Sequence, residues 1–247
     1  MKGMILQERD RKILKFAYTF RVVTFSQIQR RYFAKAFRTV APRRIRQLVD
    51  AGYLNSFTVG EGAEVYKFVR LSEKGWREIR EGWPYEIDNP LFKSESPIHD
   101  LGIAELAFSF EKLSTFKGLI TENLLQSSSA LADDEKFKAL AKLQADGALL
   151  LAPPNEPLYV YGVEYEISRK NPERYREKLL NYYMASGIDG VLYVSDSQVV
   201  LDALARADSE IRSKRRSILH MALEKDVLSS NGKIHFHRAD GGAIALF

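Results

Sequence analysis

Residues 37–54 read FRTVAPRRIRQLVDAGYL and decide how the first part of the chain folds. Apolar residues recur at Ile45, Leu48 and Val49, a spacing of three and four that is typical of a helix with one buried face. Gly52 suits the C-terminal cap of this helix, and an extended apolar segment follows it. The arginines fall largely outside the apolar face and must point to solvent or to a partner: Arg38, Arg43, Arg44 and Arg46.

The segments on either side of this basic helix complete a pattern of helices and a hairpin. Two helices are predicted before it, one from Leu6 and one from Thr24, with Thr24 or Ser26 as the N-cap candidate of the second. Strands at 56–59 and 65–71 around a glycine-containing turn predict a hairpin, and Ser72 begins a closing helix. This order is typical of a winged helix-turn-helix, in which one helix enters the major groove of DNA.

The net charge of +5 is distributed unevenly along the 247 residues. Residues 1–85 carry 18 lysines and arginines against 8 aspartates and glutamates, a net charge of +10, whereas residues 86–247 carry 19 against 24, a net charge of −5. A basic module of this kind predicts a polyanionic partner, and duplex DNA is favoured over an acidic membrane surface because no lipid-facing amphipathic helix accompanies it. The candidate DNA contacts are Arg30, Arg31, Arg38, Arg43, Arg44, Arg46, Lys67 and Arg70.

The composition excludes several other classes of protein. A content of 45% hydrophobic and 28% charged residues is typical of a globular protein with a real core. No apolar run reaches the length of a membrane span, and the N-terminus lacks the apolar core of a signal peptide, so we expect a cytoplasmic protein with no membrane partner. The absence of cysteine excludes disulfides and cysteine-based zinc sites. His235 and His237 share a strand face and are a candidate metal pair, although no other ligand lies near them in sequence.

The second part of the chain predicts an α/β domain. Three prolines between residues 84 and 97 indicate an interdomain linker. Beyond it we expect a helix from His99, three strands, a second helix and a fourth strand, the later elements lying at 118–125, 146–152, 158–167, 172–186 and 190–194. The sequence therefore predicts an α+β protein with a winged helix-turn-helix over residues 1–83, a linker over 84–97 and an α/β domain over 98–247.

The order of these elements and the placement of three acids are similar to the PD-(D/E)XK nuclease fold. Asp146 begins the ADGALLL strand, and Glu164 and Glu166 share one face of the VEYEISRK strand. Together they could hold Mg²⁺ and activate water against a phosphodiester, with Lys170 downstream as a catalytic cation. Glu166 occupies the place of the lysine that the fold usually carries there. This departure favours a degenerate, inactive site, in which the acids are neutralised by basic neighbours: Arg169, Lys170 or Arg174.

The whole layout resembles the replication-relaxation family of plasmid and integrative-element proteins. The resemblance rests on the opening LQERDRKILKFAYTFRVVTFSQIQRRYF, on RRIRQLVDAGYL, on YKFVRLSEKGWREI, on HDLGIA and on ADGALLL with the later ERYREKLLNYY. It implies a DNA-binding accessory protein in the replication, relaxation or conjugative transfer of mobile DNA, with a relaxase or replication initiator as partner and a homodimer as one assembly. Two alternatives stay open: a winged-helix transcriptional regulator and a metal-dependent DNA nuclease.

Overall fold

The computed structural model describes residues 4–60, 65–213 and 215–247. It is a mixed α+β protein, as the sequence predicts. The chain divides into two compact units, Met1–Ala104 and Glu105–Phe247. The division falls within helix α5, Pro97–Phe110.

The first unit contains a small sheet and four helices before α5. In chain order they are α1 Glu8–Thr19, β1 Val23–Thr24, α2 Phe25–Tyr32, α3 Val40–Asp50, β2 Leu54–Val59, β3 Tyr66–Leu71 and α4 Glu73–Ile79. The three strands are antiparallel in the order β1-β3-β2. Residues 61–64 of the predicted β2–β3 turn lie outside the described part of the chain.

Local side-chain hydrogen bonds fix where the helices of the first unit begin. At α2 the Gln27 amide donates to the Thr24 hydroxyl at 3.2 Å, and the Thr24 amide donates to the Gln27 side chain at 2.8 Å, which is a complete capping box. The amide of Gly75 donates to the Ser72 hydroxyl at 3.0 Å and caps α4. Helix α3 ends at Asp50 with Ala51 as its C-cap, and Gly52 follows with a φ of +78°, in the left-handed region that favours glycine. These signals are readable in the sequence, and the structure confirms the helices they predict.

The region predicted as an interdomain linker is part of the first unit. Tyr18 lies at the centre of an aromatic cluster, with ring centroids 4.8 Å from Trp76, 5.5 Å from Trp83 and 6.2 Å from Phe92. Burial raises the pKa of Tyr85 well above its usual range. Within 84–97, Phe92 therefore packs on Tyr18 of α1 and Trp76 of α4, an aromatic contact within the first unit.

The second unit contains a seven-stranded sheet in the order β10-β9-β8-β7-β6-β5-β4. After α5 its elements are β4 Phe116–Thr121, α6 Glu122–Ser127, α7 Ser129–Asp133, α8 Lys138–Lys142, β5 Gly147–Leu151, β6 Tyr159–Glu166, α9 Pro172–Met184, β7 Gly190–Ser195, α10 Gln198–Arg212, β8 Leu219–Leu223, α11 Glu224–Leu228, β9 Ile234–Arg238 and β10 Ala243–Leu246. Strand β7 is parallel to both of its neighbours, β6 and β8. The other neighbouring pairs of this sheet are antiparallel.

The parallel pairs explain the two longest helices of this unit. A parallel connection needs a crossover, and α9 supplies it between β6 and β7, while α10 supplies it between β7 and β8. Helix α10 ends at Arg212, and the chain then continues to strand β8, which begins at Leu219. None of the described helices is both long and apolar enough to span a membrane.

Candidate functional site

Helix α3 presents two different faces. Ala41, Ile45 and Leu48 are buried, and the helix packs on α2 and β2. The opposite face is exposed and carries Arg43, Arg46, Gln47 and Asp50, which follow one another at intervals of three, one and three residues. These positions form one stripe along the helix. Arg38, also exposed, lies in the turn that precedes it.

The exposed arginines of this stripe have no acidic partner. In the part of the chain that the structure describes, Arg38, Arg43 and Arg46 form no ion pair. Other cations of the same unit are engaged: Lys12 lies 2.7 Å from Glu8, and Lys15 donates to the carbonyl of Gly82 at 2.6 Å. Arg38, Arg43 and Arg46 therefore give this face a net positive charge, which Asp50 offsets only in part.

Arg44, which the sequence predicts as a DNA contact, forms an ion pair with a buried carboxylate of the same unit. Its Nε and Nη2 donate to the two carboxylate oxygens of Asp10 on α1 at 2.9 Å and 2.5 Å, and Asp10 is 1% exposed. Burial raises the pKa of Asp10, but the hydrogen bonds from Arg44 and from the amide of Gln7 outweigh it and hold the pKa below its ordinary value. The sequence missed this pair because its members lie 34 residues apart.

Substitution of Arg44 by methionine should destabilise the protein by about 3 kcal/mol at pH 7, because it leaves the Asp10 carboxylate buried without its cation. Urea denaturation followed by circular dichroism measures the change. The control is Arg46→Met on the same helix, which is exposed and should change stability by no more than about 0.5 kcal/mol. Equal effects of the two substitutions would contradict the structural role of Arg44.

The remaining predicted DNA contacts have mixed surroundings. Arg30 and Arg31 lie in the last turn of α2, where cations complement the helix dipole, and the Arg31 guanidinium lies 5.0 Å from the centre of the Phe16 ring. On β3, Lys67 is exposed and lies 5.2 Å from the Phe25 ring, whereas Arg70 is half-buried against Phe57. Arg31, Lys67 and Arg70 therefore each lie over an aromatic ring of the first unit, and Arg70 is the least exposed of the three.

The second unit contains a buried carboxylate in the middle of β6. Glu164 is 5% exposed; its Oε2 accepts a hydrogen bond from Lys178 Nζ at 2.5 Å, and its Oε1 accepts one from the hydroxyl of Tyr182. Burial raises the pKa of Glu164 to about 7, opposed by the charge of Lys178 and reinforced by the charge of Asp146. The carboxyl group of Glu164 therefore titrates near neutral pH.

Gly162 makes this arrangement sterically feasible. It lies two residues before Glu164 and so on the same face of β6. A Cβ at this position would lie 3.1 Å from a ring carbon of Tyr182 and 3.0 Å from Leu140. The missing side chain leaves room for the Tyr182 ring to cross the strand, which carries its hydroxyl to Glu164.

Asp146 and Glu166 lie near Glu164, as the strand pattern predicts. The antiparallel register that pairs Gly147 with Val163 continues to Asp146 beside Glu164, and Asp146 accepts a hydrogen bond from the amide of Tyr165 at 2.7 Å. The carboxylate of Glu166 lies 3.3 Å from Lys170 Nζ. We refer to Asp146, Glu164 and Glu166 as the acidic cluster.

Lys178 is the main cation of the acidic cluster, and the sequence reasoning missed it. Burial works against its charge, but Glu164 above all, with Asp146 and Glu166, raises the pKa of Lys178 above its ordinary value. Of the predicted partners only Lys170 is paired with an acid of the cluster; Arg169 and Arg174 are exposed. A signal was present: Lys178 follows Tyr175 by three residues on the buried face of an amphipathic helix, where a cation needs a carboxylate.

The carboxylates of the acidic cluster have hydrogen-bond or ion-pair partners within the protein. Across residues 4–60, 65–213 and 215–247, no group of three or more histidine, aspartate or glutamate side chains is placed to hold a metal ion. The oxygens of Glu164 are directed to Lys178 and Tyr182 instead. His235 and His237 lie on the exposed side of β9, at a pocket of about 560 Å³ that Asp202 and Asp226 also line.

Comparison with protein-family models, with curated proteins and with solved structures finds no match for this chain.

Proposed function

We propose that the protein binds duplex DNA through its first unit, with α3 as the recognition helix of a winged helix-turn-helix. The observation that carries the proposal is the α3 stripe, in which Arg43 and Arg46 are exposed and unpaired while the opposite face is buried. A helix of this size fits the major groove, and arginine side chains reach both phosphates and guanine edges.

The arrangement of the surrounding elements supports the same proposal. Helices α2 and α3 are joined by a short turn, and the β2–β3 hairpin follows α3 directly. Lys67, exposed on β3, is positioned in sequence as a wing contact to the DNA backbone. A wing contact to phosphate would position the protein without reading bases.

For the second unit we propose a PD-(D/E)XK-like domain without metal-dependent cleavage. The order α5, β4, β5, β6, α9 and β7, with β6 parallel to β7, supports the likeness. The engagement of Glu164 by Lys178 and Tyr182 supports the absence of catalysis, because these contacts occupy the oxygens a metal would need. The protein would then act as a DNA-binding accessory factor in the replication, relaxation or conjugative transfer of mobile DNA.

The proposal is tested by binding to a randomised duplex of about 30 base pairs between about 50 and 200 mM salt. Three arginine–phosphate contacts predict a log–log slope of about −3, because each contact releases close to one counterion. A slope near zero, or no binding at low salt, would contradict DNA binding by the α3 stripe.

Preferred binding sequences are selected from the randomised duplexes, and footprinting then locates the bound sites on plasmid DNA. The location of these sites identifies the cellular process in which the protein acts. Protection at an origin of transfer or replication is the expected result, whereas protection at a promoter would indicate a transcriptional regulator. Magnesium-dependent nicking of the plasmid that disappears in Glu164→Ala would indicate a nuclease.

A further inference from the structure

A small polar pocket lies between the start of α1 and the start of α3. Its volume is about 220 Å³, and three arginines line it, Arg9, Arg43 and Arg44, together with Gln7, Gln47 and Asp10. Arg9 was not among the cations that the sequence singles out for DNA binding. The pocket adjoins the α3 stripe, because Arg43 belongs to both.

The single carboxylate in this pocket does not neutralise it. Both oxygens of Asp10 accept hydrogen bonds from Arg44, and one of them also accepts from the amide of Gln7 at 2.7 Å. Arg44 Nη1 donates to the side chain of Gln47 at 3.1 Å. The charges of Arg44 and Asp10 therefore offset each other, and the two hydrogen-bonded side chains form one wall of the pocket.

The other two arginines supply the excess charge. The Arg9 guanidinium lies 4.7 Å from the centre of the Phe33 ring, a cation–π contact, and Arg43 is exposed. Within the described residues, neither Arg9 nor Arg43 has an ion pair. The charge of Arg9 also reaches Asp10, whose pKa it helps to lower.

We infer that this pocket is a phosphate site, in which Arg9 and Arg43 bind a tetrahedral oxyanion and Arg44 holds the wall in place. A pocket of this volume is smaller than the roughly 300 Å³ of typical organic-ligand sites and has room for one phosphate group. Guanidinium groups bind phosphate oxygens in paired hydrogen bonds. The inference rests on the proposed function in one respect: the phosphate belongs to the DNA backbone beside the stretch that α3 contacts.

The DNA arm of the test uses Arg9→Ala in the full chain and the same randomised duplex. Loss of one phosphate contact should reduce the steepness of the salt dependence by about 0.9 and weaken binding roughly eightfold at 0.1 M salt. The matched control is Arg11→Ala, two residues along the same helix, whose side chain lies 4.0 Å from Glu78 rather than in the pocket. An unchanged slope for Arg9→Ala, or the same loss for Arg11→Ala, overturns the assignment to a backbone phosphate.

The second arm uses inorganic phosphate alone, followed by NMR of the arginine Nε–H and glutamine side-chain amide signals. Saturable shifts at Arg9, Arg43 and Gln47, absent in Arg9→Ala, support the site whether or not DNA binds. Saturable shifts with an unchanged DNA slope would identify a site for free phosphate and overturn the backbone assignment. No shift together with an unchanged slope overturns the pocket as an anion site. If the wild-type chain binds phosphate here but no duplex, the proposed function fails and the phosphate site stands.

Discussion

Replacement of Arg43 and Arg46 together by alanine should weaken binding to duplex DNA about 60-fold at 0.1 M salt while the fold is retained. Both side chains are exposed on α3 and have no acidic partner in the described chain, so their loss removes no ion pair of the folded protein. The estimate counts two phosphate contacts. If either arginine also reads a guanine, the loss for the preferred sequence should be larger, by about 1–3 kcal/mol. Fluorescence anisotropy with a labelled duplex measures the change, and circular dichroism checks the fold.

The control for this prediction is Arg77→Ala with Arg80→Ala. These arginines are exposed, on α4 and at its C-terminal cap, and the double substitution removes the same charge from the same unit. An equal loss of affinity in the two double variants would mean that net charge rather than the α3 stripe determines binding.

Replacement of Lys178 by methionine should destabilise the protein by about 3 kcal/mol at alkaline pH, because Glu164 is then left buried without its cation. The effect should depend on pH in a defined direction. The folded pKa of Glu164, about 7, lies above its ordinary value of 4.5, so the folded state holds this proton more tightly than the unfolded state does. Stability from this group is therefore greatest below about pH 4.5 and decreases as the pH rises through 7.

In the Lys178→Met variant the decrease should extend to higher pH. Lys178 lowers the pKa of Glu164, so its removal moves the folded pKa above 7 and widens the window in which stability is lost. Urea denaturation followed by far-ultraviolet circular dichroism at several pH values measures the difference, which should be smallest in acid.

Two further variants control this prediction. Lys170→Met removes the cation beside the less buried Glu166 and should change stability by less than about 1 kcal/mol. Adding Glu164→Gln to Lys178→Met should recover much of the lost stability, because no unpaired charge then stays buried. Parallel stability curves for wild type and Lys178→Met between acid and alkaline pH would contradict the coupling of Lys178 to Glu164.

The parts of the fold that short-range chemistry determines could be predicted from the sequence. The capping box of Thr24 and Gln27, the Ser72 cap and the left-handed Gly52 all act within a few residues of one another. The alternation in β6 likewise places Glu164 and Glu166 on one face.

The parts that depend on distant neighbours could not be predicted. The sequence does not show that Arg44 forms an ion pair with Asp10, or that Lys178 on α9 forms one with Glu164 on β6. Each pair forms only after the helices and strands pack. The region 84–97 has the composition of a linker, yet Trp83 and Phe92 lie against Tyr18. Helix α10 ends at Arg212, and strand β8, Leu219–Leu223, extends the parallel part of the sheet through its pairing with β7.

The aromatic cluster around Tyr18 also provides an optical reporter. The chain contains two tryptophans, Trp76 and Trp83, and both belong to this cluster. Intrinsic tryptophan emission therefore reports on the first unit alone, whereas circular dichroism records both units. If the two signals change at one denaturant concentration, the units unfold as one cooperative block. If they change at different concentrations, the stability of each unit can be measured in the intact chain.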